Sequence, residues 1–141
     1  MGIDYQPGGS SGFTGGKDPL SDADACLRDA ALMQQLGLNA IRVYNLDPTV
    51  NHDMCASIFN SVGIYMLLDV NSPFDGGNIN QDDPKGSYDT EYLNRTFLMI
   101  DAFREYPNLI GFFGANELIN SDANAKANAP YIRVSTYCTN R

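Results

Sequence analysis

The feature that most constrains this chain is a set of short apolar runs that are continuous rather than alternating. Ile64 to Val70 is nearly unbroken, Ala40 to Tyr44 is rich in β-formers, and Leu109 to Phe113 makes a further run. A strand with one wet face alternates, whereas a strand covered on both faces does not. Helical patterns separate these runs. Ala23, Cys26, Leu27, Ala30, Met33 and Leu36 fall on one stripe that ends before Gly37, with Ser21 and Asp24 as a capping pair. Met54, Cys55, Ile58, Phe59 and Val62 repeat the spacing and stop at Gly63, and Tyr92 to Phe103 is helical by pattern. Strand and helix in alternation imply an α/β fold around a parallel sheet.

Ile3 to Tyr5 is a short apolar segment, and Gln6 to Gly16 carries a proline and five glycines, so it reads as a long loop. Three strand–helix units and a fourth strand fit half of an eight-stranded barrel or a small doubly wound sheet, and pattern alone leaves both open. The polar and glycine-rich segments all follow strands, where either architecture places its site. Gln6, Tyr44, Asn71 and Asn116 are therefore the places to look for function.

Charge narrows the partners. The chain has 141 residues, 9 basic and 17 acidic, a net charge of −8 and a pI near 4.3, so a phosphate backbone meets a repelling surface and nucleic acid is excluded as a partner. No run reaches the roughly 18 apolar residues of a membrane span, and nothing before Asp4 reads as a leader. A single His52 and three cysteines without Cys-x-x-Cys spacing give no metal site. The Asp22/Asp24 and Asp82/Asp83 pairs read as helix caps rather than calcium ligands, and His52, at a helix start, reads as structural.

Gly111-Phe112-Phe113-Gly114-Ala115-Asn116-Glu117 is the strongest chemical signal: an apolar strand delivers an adjacent Asn and Glu to its C-terminal end. A carboxyl group half-shielded there can act as a general acid, and the amide beside it can bond a sugar hydroxyl. The same pair can also be a helix cap followed by a first-turn acid.

Asp4-Tyr5-Gln6-Pro7-Gly8-Gly9-Ser10-Ser11, Asp18-Pro19-Leu20, Asp22-Ala23-Asp24-Ala25-Cys26, Ile41-Arg42-Val43-Tyr44, Asp47-Pro48-Thr49 and Asn51-His52-Asp53 with Cys55 follow one another in an order and spacing that resemble the fungal β-1,3-glucanosyltransferases of glycoside hydrolase family 72. The resemblance runs from Gly2 to about Ile132. It implies a (β/α)8 TIM barrel, with this chain covering the first three βα units and the fourth strand. It also implies a retaining reaction without cofactor or metal, which cuts β-1,3-glucan internally and joins the new end to an acceptor glucan chain. Glu117 matches the acid/base and Asn116 the asparagine beside it. Tyr44 and Gln6 match residues of the donor cleft, as do Asn71 and Ser72 in the loop to Ile79, where Gly76 and Gly77 look inserted. The nucleophile of the family comes from a strand in the barrel's other half.

The resemblance also implies a disulfide between Cys26 and Cys55 and a place at the outer side of the plasma membrane or in the cell wall, GPI-anchored in the full-length proteins, although this chain carries no anchor signal. Asn94-Arg95-Thr96 is a sequon for N-glycosylation. The match is expected to cover residues 1–133 as the N-terminal half of the barrel. Residues 134–141 are β-prone and polar and read as a divergent tail with Cys138 unpaired. A non-catalytic carbohydrate-binding wall protein and a hydrolysing endo-β-glucanase are the alternative readings.

Overall fold

The computed structural model describes residues 1–9, 18–72 and 76–139, the last six by backbone alone. Most of the glycine-rich loop, Pro73 and the pairing of Cys138 lie outside the described residues.

Four parallel strands, β1 (Gly2–Tyr5), β2 (Ala40–Val43), β3 (Tyr65–Asp69) and β4 (Leu109–Phe113), pair in the order in which they occur. A doubly wound sheet reverses its strand order at a switch point, while a barrel adds each strand beside the last. The sequential order is that of a barrel wall. Registers run Asp4 to Arg42 to Leu67 to Gly111 across the sheet. Between Met66 and Leu67 the pairing shifts from Leu109 to Gly111, so Ile110 is the extra residue of a bulge. The bulge puts Phe113 opposite Asp69 and turns Phe112 toward the helices.

Helices α1 (Ala23–Gln35), α2 (Asp53–Ser61) and α4 (Thr90–Phe103) cover the outer face, with a single turn α3 (Pro84–Ser87) before α4 and α5 (Asp122–Thr139) after β4. The core lies between sheet and helices: Ile41, Val43, Met66 and Leu68 meet Cys26, Ala30, Met33, Phe59, Met99 and Phe103. Continuous apolar runs are thus explained on one side by this core and on the other by the barrel interior.

The caps follow short-range chemistry. Asp22, not Ser21, caps α1 by accepting from the amides of Asp24 and Ala25 at 3.1 Å each, and Ser21 Oγ instead donates to the Asp18 carbonyl. Asp83 and Asp89 cap α3 and α4. Two expected stripe positions, Leu27 and Leu36, are exposed, as is Met54, because α1 and α2 bury only a narrow face against the sheet. The backbone of residues 134–139 continues α5 rather than forming the expected β-prone segment. The alanine-rich turns from Asp122 nucleate the helix and later residues join at little further expense. This happens despite Pro130, which has no N–H to offer the preceding turn.

His52 is structural as expected. It is buried, with Nε2 at 2.9 Å from Asp18 Oδ2, and its ring stacks on Phe103. Asp18 also accepts from the amides of Leu20 and Asp47 at 2.7 Å, so one carboxylate joins the loops after β1 and β2.

Cys26 and Cys55 form a disulfide that ties α1 to α2, with Cα atoms 5.5 Å apart. Cys55→Ala should lower stability by about 2–4 kcal/mol in chemical denaturation, and non-reduced peptide mapping of the protein should recover the linked Cys26 and Cys55 peptides. An unchanged denaturation midpoint would contradict the role given to this bond.

Candidate functional site

The loops leaving β1, β2, β3 and β4 line an open cavity of about 940 Å³ at the C-terminal ends of the strands. It is lined by Gln6, Tyr44, Asn45, Asp69, Asn71, Ser72, Asn78, Ile79, Asn80, Gln81, Asp82, Asn116 and Glu117. The six residues that sequence reasoning singled out for catalysis and binding all lie on this wall. Seven of the lining side chains are primary amides, each able to donate and accept, which suits a neutral polyhydroxylated ligand better than an ion. Among the described residues no cluster of His, Cys, Asp and Glu is arranged to hold a metal.

Arg42 organises the inner face. Its Nε and Nη2 donate to the two carboxylate oxygens of Asp69 at 3.0 and 2.9 Å, and Nη2 also donates to Asn116 Oδ1 at 2.9 Å. The guanidinium lies 4.1 Å from the Phe113 ring centre and 4.5 Å from that of Tyr44. A planar cation can satisfy a carboxylate, an amide and two ring faces at once, which lysine cannot. Burial pushes the Asp69 carboxyl above its usual range, and Arg42 opposes that rise. Burial also works against the Arg42 charge, yet its bonds to Asp69 prevail and hold its pKa above normal. The Tyr44 hydroxyl is raised, first by burial and further by Asp4. With its carbonyl oxygen taken by Arg42, Asn116 has its NH₂ left for a ligand.

Glu117 follows at the rim. Both Asn116 and Glu117 are exposed, where half-shielding was expected, because a four-stranded wall encloses only one side of the cavity. Glu117 has φ of +52°, a left-handed conformation that costs an L-residue with a long side chain roughly 1–2 kcal/mol. Its carbonyl accepts from Gln81 Nε2 at 2.6 Å. Asn45, beside Tyr44, shares the left-handed geometry with φ of +62°, and asparagine tolerates it. Asn94 lies elsewhere, exposed on α4, and the hydroxyl of its sequon partner Thr96 is buried and donates to the Tyr92 carbonyl.

Sequence reasoning missed Arg42 and Gln81 as parts of the site. Arg42 had a visible signal: a charge between Ile41 and Val43, in a strand covered on both faces, requires a buried partner.

The family model described as glucanosyltransferase, glycoside hydrolase family 72, matches residues 1–140. The 1,3-beta-glucanosyltransferase gel2 of Aspergillus fumigatus is 61% identical over 123 residues, which are 87% of this chain and 26% of that protein. The probable 1,3-beta-glucanosyltransferase GAS3 of Saccharomyces cerevisiae is 54% identical over 135 residues, 94% of this chain and 26% of that protein. The solved structure of Saccharomyces cerevisiae Gas2p in complex with laminaritriose and laminaritetraose superposes with a TM-score of 0.83 at 36% identity, over 96% of this chain and 29% of that one. The chain thus spans little more than a quarter of the length of these relatives.

The Asp69 carboxylate is buried while Arg42 is partly exposed, so removing the guanidinium leaves a buried negative charge without its partner. Arg42→Met should therefore destabilise the protein by about 1–3 kcal/mol, and Asp69→Leu added to it should restore much of the loss. Urea unfolding followed by circular dichroism measures both, and a double variant no better than the single would contradict the pairing.

Proposed function

The chain belongs to glycoside hydrolase family 72, the glucanosyltransferases, and from that membership we propose that it forms half of an active site that cleaves β-1,3-glucan and passes the cut chain to an acceptor glucan. The fold is the first part of a (β/α)8 barrel, like that of the solved relative. One observation carries the proposal: Asn116 and Glu117 leave the end of β4 directly into a cavity whose other walls are Gln6, Tyr44, Asn71 and Ser72.

In this reading Glu117 protonates the departing sugar oxygen and then deprotonates the acceptor hydroxyl. Asn116 donates to a hydroxyl of the sugar at the cleavage point, Tyr44 presents a ring face, and Gln6, Asn71 and Ser72 bond the donor chain. Laminari-oligosaccharides, with which the solved relative is complexed, are short β-1,3-glucans and fit the amide-rich wall. Retention requires a second carboxylate about 5–5.5 Å from the first. Asp69 is committed through both oxygens to Arg42, and membership of the family implies that the nucleophile is a carboxylate from a strand of the barrel's other half. Residues 1–133 make up the barrel half and 134–141 a divergent tail. The complete enzyme works at the outer side of the plasma membrane or in the cell wall, GPI-anchored, with a glycan at Asn94. No helix among the described residues is long and apolar enough to cross a membrane.

The engagement of Asp69 favours a second reading, in which the chain by itself binds glucan without turning it over. Joined to the second barrel half of the A. fumigatus relative, the segment should convert laminari-oligosaccharides. Glu117→Gln should then cut turnover about 10²- to 10⁴-fold while leaving oligosaccharide affinity intact, and the 141 residues alone should yield no product. Near-normal turnover by the variant would remove Glu117 from the mechanism.

A further inference from the structure

Glu117 occupies a left-handed conformation, at φ of +52°, that a glutamate keeps only where its surroundings enforce it. The enforcement comes from the loop between β3 and α3. Gln81 Nε2 donates to the Glu117 carbonyl, while Gln81 Oε1 accepts from Asn120 Nδ2, and Asn120 Oδ1 in turn accepts from Asn124 Nδ2 at 2.8 Å. Asn128, which is completely buried on α5, donates through Nδ2 to the main-chain carbonyls of Gln81 at 3.1 Å and Leu118 at 2.7 Å. Gln81 is thereby gripped at its side chain and at its backbone, and the residue after Glu117 is fixed by the same asparagine. Amides linked in this way polarise one another, so the bond that reaches Glu117 is supported by the whole chain of donors.

We propose that Gln81 is a positioning residue that sets the aim of the Glu117 carboxyl by holding the Glu117 backbone in its left-handed conformation. The direction of the Cα–Cβ bond follows the backbone, so relaxing φ to negative values swings the carboxyl away from the scissile oxygen. Displacement of a catalytic group by about an ångström reduces rate roughly 10²-fold. The proposal rests on the assignment of Glu117 as acid/base.

The test uses the hybrid enzyme with the second barrel half of the A. fumigatus relative and two variants, Gln81→Leu and Gln81→Glu. The latter is nearly isosteric and cannot donate to the carbonyl, so it serves if the former fails to fold. Each is assayed on a laminari-oligosaccharide, whose leaving sugar needs a proton, and on a dinitrophenyl β-glycoside of the same sugar, whose leaving group departs without one. The variants should lower kcat on the oligosaccharide about 10- to 100-fold, and first-turnover release of dinitrophenolate should fall by much less. Equal losses on both substrates, or no loss on either, would overturn the proposal. Glu117→Gln runs beside them. If it retains turnover, the acid/base assignment falls and the role of Gln81 with it. If it is inactive on the oligosaccharide while both Gln81 variants match the parent, the role of Gln81 alone falls.

Discussion

The guanidinium of Arg42 touches three of the four strands or the loops they lead into: it is rooted in β2, grips Asp69 at the end of β3 through two bonds, and reaches Asn116 beyond β4. Without it, the inner face would hold a buried carboxylate with no partner and an asparagine with no fixed orientation. Its contact with Phe113 depends on the bulge at Ile110, which brings that ring to the inner face. A small irregularity in strand pairing and a single half-buried cation together decide where Asn116 stands, and Glu117 is the next residue.

The outer side of the sheet is built by different physics. There the fully buried Ile41, Met66, Leu68, Phe59 and Phe103 form a dry core, the disulfide joins the two helices over it, and Asp18 ties the first two loops together. This layer holds the four strands side by side, and the loops above them line the cavity. The inner layer then needs only a few polar contacts to set the site: Arg42 for Asn116, and Gln81 for Glu117.

The α/β class was legible because two-sided burial imposes continuous apolar runs, and β4 has the bounds that its run of apolar residues predicts. Gln6, Tyr44, Asn71, Ser72, Asn116 and Glu117 were legible as cavity residues because strand ends carry the polar segments. Choosing a barrel over a doubly wound sheet required the strand order, which no local pattern encodes. The cap at Asp22 was missed by one position because Ser21 and Asp22 are both good caps, and only the contact with Asp18 decides between them. Arg42 with Asn116 and Gln81 with Glu117 pair residues 74 and 36 positions apart, so their roles arise only once the strands are aligned. The backbone of 134–139 was misread because helix propagation overrides weak β-propensity.

The chemistry proposed for this wall is transfer between sugar chains, and product length reports it directly. The segment, completed with a second barrel half, should be incubated with a single laminari-oligosaccharide and the products separated by size. The account predicts chains both longer and shorter than the starting sugar, formed together from the first turnovers. Shorter chains alone would make the enzyme a hydrolase, and an unaltered oligosaccharide that is nonetheless bound would reduce the cavity to a recognition surface. Either result would contradict the account.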